Sequence, residues 1–150
     1  MHRAVALSRE HMERGQGGPF GAVIVKDGKI LSEGWNQVTS SNDPTAHAEV
    51  VAIRRAAERI QNFDLTGAEL YTSCEPCPMC LAAAYWARIN KIYFGNSRQD
   101  AARHQFDDEF IYQEIPKENS QRTIPIEQLE RDEAYRVFCE WDLKEDKIRY

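Results

Sequence analysis

A short strand-like segment, Leu70-Tyr71-Thr72, leads into an alanine-rich helical run that opens at Pro78 and carries Leu81-Ala82-Ala83-Ala84-Tyr85-Trp86. A second strand-like segment, Ile92-Tyr93-Phe94, follows. Two buried strands joined through a helix form a crossover, which returns the chain parallel to where it began and lays the helix on one face of the sheet. Upstream, Phe20 to Lys26 (FGAVIVK) and Lys29 to Trp35 (KILSEGW) read as strands joined by Asp27-Gly28, a pair suited to the positive φ angles of a two-residue hairpin. An antiparallel hairpin beside a parallel crossover makes a mixed sheet. Helical segments flank these strands in order, so the expected fold is α/β, a three-layer α/β/α sandwich.

The helices have their own markers. Residues 2 to 14 read as a helix with Val5, Leu7, His11 and Met12 near one side, stopped by Gly15, Gly17, Gly18 and Pro19. Val50, Ile53, Ala57 and Ile60 recur at helical spacing, and Asp43-Pro44 reads as an N-cap with proline in the first helical position, so this helix is expected to begin at about Pro44. Beyond Gly95, Phe106 to Ile115 reads as helical, Ile124-Pro125-Ile126 as an edge strand, and Asp132 to Lys144 as a helix. No repeat or Ser/Gly-rich linker interrupts the chain, so 1–150 is read as one domain.

The chemistry lies in His47-Ala48-Glu49 followed by Pro76-Cys77-Pro78-Met79-Cys80. One imidazole and two thiolates make three ligands, and zinc takes four; a site with three protein ligands leaves a position for water, whereas a structural site is closed by a fourth side chain. Zinc brings the pKa of a bound water to about 7, and Glu49 stands where it can carry a proton from that water to the group being displaced. Both ligand groups fall at expected helix starts, where free backbone N–H groups and the positive dipole end favour thiolate. The competing arrangement, a structural knot of Cys74, Cys77 and Cys80 closed by Cys139, leaves His47 and Glu49 without work. Cys74 at a strand end and Cys139 beside Val137 and Phe138 read instead as small buried residues.

The histidine-x-glutamate and proline-cysteine-x-x-cysteine pair is the mark of the zinc nucleobase deaminases. The surrounding text extends the likeness: Gly17-Gly18-Pro19-Phe20-Gly21-Ala22, Thr39 to Val50, Thr72 to Cys80, the segment Phe106-Asp107-Asp108-Glu109-Phe110-Ile111-Tyr112, and a final Tyr150. Together these resemble the bacterial guanine deaminases of the cytidine deaminase-like superfamily. The resemblance implies hydrolytic deamination of guanine to xanthine and ammonia, with one zinc per chain on His47, Cys77 and Cys80 and with Glu49 as proton shuttle. It also implies a substrate pocket of Phe20, Asn36, Ala48, Trp86, Phe106, Asp108 and Tyr150. Asp108 would be the catalytic pocket's base-reading acid. The residues by themselves leave Asp107 and Asp108 both open, and either could simply complement a helix dipole; the family's acid matches the second. Guanine presents N1–H and a 2-amino group side by side, and an ionised carboxylate can accept from both.

A domain-swapped homodimer is implied by the same resemblance. Guanosine, a triazine amine, or adenosine in tRNA are the alternative substrates. The net charge of −5 speaks against gripping a phosphate backbone, so no nucleic-acid partner is expected, and Arg54, Arg55 and Arg59 read as a solvated helix face. No apolar run approaches the ~20 residues needed to span a bilayer, and Met1-His2-Arg3-Ala4-Val5 does not open a secretory core. With three cysteines at metal-ligand spacing, a cytoplasmic location and no membrane are expected.

Overall fold

A computed structural model describes residues 1–149 of the chain, and Tyr150 lies outside the described residues. The chain divides into two compact units, one spanning Met1–Glu109 and one running from Phe110 onward.

The first unit holds the sheet. Its elements are α1 (His2–Glu13), β1 (Gly21–Lys26), β2 (Lys29–Trp35), α2 (Val38–Ser41), α3 (Ala48–Ile60), β3 (Ala68–Cys74), α4 (Pro78–Trp86), β4 (Lys91–Asn96) and α5 (Arg98–Arg103). The strands lie in the order β2-β1-β3-β4; β1 is antiparallel to β2 and β3, and β3 is parallel to β4. At the hairpin Lys26 pairs with Lys29, and Asp27 and Gly28 take φ of 51° and 71°, the geometry of a turn whose twist matches the strands it joins.

Alternation along β1 divides the core between the two faces. Val23 and Val25 pack with Ala4 and Leu7 of α1, while Ala22 and Ile24 pack with Ala48, Ala52 and Ala56 of α3 and with Ala84 of α4. Helix, sheet, helix is therefore the layering, as expected. Bidentate contacts from Arg3 to Glu33, Nε to Oε1 at 2.7 Å and Nη2 to Oε2 at 2.8 Å, tie α1 to β2.

Several expectations are corrected. On α1 the buried residues are Ala4, Leu7 and His11, whereas Val5 and Met12 are 41% and 44% exposed. The inward face is set by close approach: a Cβ on Gly21 would stand 2.3 Å from the Ala4 carbonyl oxygen, so only a small residue fits at that crossing. α3 begins at Ala48, not at Pro44. Asp43 Oδ1 instead accepts from the Thr45 N–H (2.8 Å) and hydroxyl (2.6 Å), closing a local turn, and the Ala46 carbonyl is taken by the Gln37 N–H at 2.9 Å, outside any helix. The arginines are only partly a solvated face. Arg54 is exposed, but Arg55 donates to the Glu33 carbonyl (2.9 Å) and Arg59 to the Leu31 carbonyl (2.8 Å), occupying acceptors along the outer edge of β2.

The helix α6 (Glu109–Glu114) starts later than Phe106 and bridges into the second unit, which then holds α7 (Arg131–Leu143). Ile124-Pro125-Ile126 forms no strand; it runs as an irregular segment, with Pro125 unable to donate to a ladder. Glu114 accepts from the Thr123 N–H (2.7 Å) and pairs with Lys117, while Arg122 donates to the Lys117 and Ile115 carbonyls, both at 3.1 Å. α7 leaves Phe138 69% and Leu143 82% exposed, and Cys139 is exposed beside them rather than buried.

Candidate active site

His47 and Cys77 hold equivalent places: each is the residue immediately before a helix, α3 and α4 respectively, with the extended backbone that such a position requires (φ −68°, ψ 154°; φ −64°, ψ 168°). Pro78 follows Cys77 in the first helical position, where a missing N–H costs nothing. Cys80 lies in the first turn of α4, Glu49 in the first turn of α3, and both are buried. The β2-to-α3 and β3-to-α4 connections deliver the two helix starts to one face of the sheet.

There His47 Nδ1 lies 3.6 Å from Cys77 Sγ and 3.5 Å from Cys80 Sγ, and the three ligand atoms are all within 4.8 Å of one another. Tetrahedral zinc, bonded at about 2.3 Å to sulfur and about 2.05 Å to nitrogen, holds such atoms about 3.6 Å apart. The residues fit the metal in spacing as well as in kind. No fourth histidine, cysteine or carboxylate joins this group among the described residues. Cys74 is buried as expected; its thiol faces the Ser97 carbonyl at 3.9 Å, and burial pushes it up to about 11.

Electrostatics favour a metal-ready set. The hydrogen bond from Cys80, with a further one from His47, pulls the Cys77 thiol down to about 4, and its counterpart raises Cys80, so the pair gives up one proton readily and keeps the other. His47 is raised, chiefly by its hydrogen bond with Cys77. Burial raises Glu49 above the ordinary carboxylate range, which suits a group that must take up a proton and release it near neutral pH.

The two oxygens of Glu49 have different neighbours. Oε1 accepts from the Thr72 hydroxyl at 2.8 Å and Oε2 from Cys80 Sγ at 3.4 Å. Thr72, at the centre of β3, was not singled out in the sequence. Nothing in a β-branched residue on a strand signals a catalytic neighbour, and only the register of β3 against α3 brings the two together.

Phe20 and Phe106 meet edge to face, ring centroids 4.9 Å apart, and Phe106 also lies against Gly18. Asn36 is buried where β2 ends; its Oδ1 accepts from the N–H groups of Gly18 (3.2 Å) and Val38 (3.3 Å), leaving its amine as the group it can offer a ligand. Ala48 contributes the first backbone N–H of α3. The acids Asp107 and Asp108 separate in role: Asp107 Oδ1 accepts from the Glu109 N–H (2.9 Å), whereas Asp108 is partly buried and is raised by that burial, then by the Cys77 charge, against the pull of Arg98. Trp86 is no core residue; it is 68% exposed at the far end of α4, about 13 Å along the helix axis from Cys77.

Residues 1–96 match the model of the cytidine and deoxycytidylate deaminase zinc-binding region. The chain belongs to this deaminase family. It is 52% identical to a guanine deaminase from Bacillus subtilis over all 150 residues, 96% of that relative's length. The crystal structure of a Bacillus subtilis guanine deaminase superposes with a TM-score of 0.96 at 52% identity, covering 99% of this chain and 95% of that one. A tRNA-specific adenosine deaminase from Buchnera aphidicola is 43% identical over 88 residues, 59% of this chain and 58% of its own length. The family and the donor set agree on zinc as the cofactor.

Proposed function

We propose that this chain is a zinc-dependent guanine deaminase that converts guanine and water to xanthine and ammonia. The observation that carries the reading is a buried carboxylate, Glu49, set against a three-ligand group that leaves a coordination position free. Zinc on His47, Cys77 and Cys80 supplies the Lewis acidity that makes water nucleophilic at neutral pH. Glu49 would accept the first proton of that water and deliver it to the ring nitrogen next to the carbon under attack, then take the second proton from the hydroxyl now on that carbon and give it to the departing amine, so that the C–N bond breaks, ammonia leaves and the carbonyl forms. Its raised proton affinity serves both transfers.

Guanine is favoured over other bases by full-length likeness to a guanine deaminase and by Asp108, a partly buried carboxylate within the field of Cys77, while Asp107 is spent on the start of α6. Asp108 accepts from N1–H and the 2-amino group; the Asn36 amine and the Ala48 N–H offer donors to acceptors of the ring; Phe20 and Phe106 provide an apolar wall. A free base, not RNA, suits a chain of net charge −5. The enzyme works as a homodimer in which the segment from Phe110 onward serves a second copy, a reading supported by the exposed Phe138 and Leu143 of α7 and by exposed Tyr85 and Trp86 of α4. No helix among the described residues is long and apolar enough to cross a membrane, and a cytoplasmic enzyme accords with the reduced thiols that the metal requires.

Ammonia release from guanine, adenine, cytosine and guanosine tests the reading. Guanine should be preferred, since adenine leaves the Asp108 carboxylate unpaired at a cost of roughly 1 to 3 kcal/mol, and Asp108→Asn should depress guanine turnover without stripping zinc. Preference for adenine or cytosine, or an Asp108→Asn protein as active as wild type, would defeat it.

A further inference from the structure

The buried hydroxyl of Thr72 points to a role beyond the proposed ligands and proton carrier. We propose that Thr72 is the positioning residue of the site: by donating to Glu49 Oε1 it fixes the carboxylate as a proton carrier and keeps it from becoming a fourth metal ligand. This rests on the deaminase reading given above.

Thr72 has no exposed surface, and its hydroxyl spends its proton on Glu49 Oε1 at 2.8 Å. Its position is held from both sides, because on β3 it pairs with Ala22 of β1 and with Phe94 of β4. A β-branched side chain on a central strand has little χ1 freedom, so the hydroxyl is a fixed donor. The other contact to Glu49, from Cys80 Sγ to Oε2 at 3.4 Å, needs a thiol proton, and a metal ligand must give that proton up. With zinc in place Thr72 is the side-chain donor that still holds the carboxylate.

The tether matters because Glu49 is a hazard as well as a tool. It sits two residues from His47 and in contact with Cys80, and carboxylate is itself a good zinc ligand at about 2.0 to 2.2 Å. A swing of the carboxylate toward the metal would fill the position that water needs and turn an open catalytic site into a closed one. Anchoring Oε1 to the sheet leaves Oε2 facing the ligand group while denying the carboxylate that swing.

Zinc-loaded Thr72→Val and Thr72→Ser proteins decide the matter, since valine keeps the shape and strand preference of threonine and serine keeps the hydroxyl. Removing a hydrogen bond to a charged group should lower kcat for guanine by about 10- to 100-fold in Thr72→Val with KM changed less than about threefold, and Thr72→Ser should restore most of it. In a Glu49→Gln background Thr72→Val should cost less than about threefold more, because the group it positions is already disabled. Cobalt(II)-substituted Thr72→Val should show a shifted d–d absorption as Glu49 nears the metal, with Thr72→Ser matching wild type. A Thr72→Val kcat within twofold of wild type, an equal loss in the Glu49→Gln background, or no rescue by serine overturns the proposal. Should wild type fail to turn over guanine, the functional reading falls on its own. The cobalt spectrum then decides for Thr72, and an unchanged Thr72→Val spectrum overturns it.

Discussion

Replacing Gly34 by alanine tests whether the active site is set by the contact of β2 with the first turns of α3. A Cβ at this position would lie 2.3 Å from the Ala48 carbonyl oxygen, 2.6 Å from the Ala52 nitrogen and 3.0 Å from the Ala52 Cβ. Two of the three obstacles are backbone, so no rotamer change relieves them. Ordinary contact is restored only if helix and strand separate by about 1 Å, and overpacking of this kind destabilises by roughly 1 to 3 kcal/mol. For a chain of this size about 2 kcal/mol lowers Tm by roughly 4 to 8 °C. The consequence for function is larger, because Ala48 lies between His47 and Glu49: shifting its carbonyl shifts both relative to Cys77 and Cys80 on α4. A misplacement of about 1 Å is enough to reduce kcat/KM by about 100-fold. Thermal unfolding, zinc content after dialysis, and guanine turnover read the three effects together, with zinc affinity expected to fall alongside activity. Adding Ala52→Gly to Gly34→Ala removes only the 3.0 Å contact and should rescue little. A Gly34→Ala protein with wild-type Tm and kcat/KM, or full rescue by Ala52→Gly, would refute the reasoning.

Other outcomes follow from the same geometry. Cys80→Ser should lose zinc, whereas Cys74→Ser should retain it, since the Cys74 thiol faces a backbone carbonyl and not the ligand group; equal metal loss in atomic absorption would show the ligand set to be wrong. Glu49→Gln should keep fold and zinc but lose at least ~10²-fold in kcat, because an amide cannot carry the proton; near-normal turnover by the zinc-loaded protein would remove Glu49 from the chemistry. The Arg3–Glu33 clamp holds the Glu33 carboxyl below its ordinary value of 4.5, chiefly through the hydrogen bond from Arg3. A lowered folded-state pKa means that its stabilisation is present above about pH 4.5 and is lost as pH falls through the folded value. With both partners partly exposed the pair is worth at most about 1 kcal/mol. Glu33→Gln should therefore reduce stability at pH 7 and converge with wild type in urea titrations as the pH falls below the folded-state value, and a difference that stays constant into acid would contradict it.

How much of this was legible before the structure varies by element, for physical reasons. Strands and crossover were readable because β-branched and aromatic runs sit between strong turn residues, and the Asp27-Gly28 hairpin falls where its sequence says. The metal group was readable because metal chemistry restricts residue type and spacing more tightly than packing does. The start of α3 was not: Asp43-Pro44 carries the local marks of a helix start, but the Gln37 N–H captures the Ala46 carbonyl and holds the segment open until His47. The inward face of α1 was misjudged because it depends on how closely Ala4 approaches Gly21, a property of two distant positions at once. By contrast α5 had a local mark that went unused, the Ser97–Asp100 capping box. Ile124 and Ile126 have strand character but no sheet neighbour to realise it. Thr72 was invisible because its importance lies wholly in its register against Glu49.

The misplaced helix start bears on the chemistry itself. Begun at Pro44, α3 would hold His47 and Glu49 within a formed helix, where residues two apart face away from each other. Begun at Ala48, it leaves His47 outside with an extended backbone and Glu49 in the first turn, so both side chains reach the end of the helix. Neither helix start carries a conventional side-chain cap: His47 bonds no first-turn N–H, and the Cys80 N–H is turned to the Cys77 sulfur, where it favours the thiolate. Forgoing a good cap costs roughly 1 kcal/mol for each helix, but it leaves free N–H groups and the positive ends of two dipoles facing the same site. A thiolate at Cys77 and the negative charge that develops on a base under attack both gain from that field. The same choice that weakens two helix ends therefore favours a thiolate at Cys77 and leaves the site receptive to a purine.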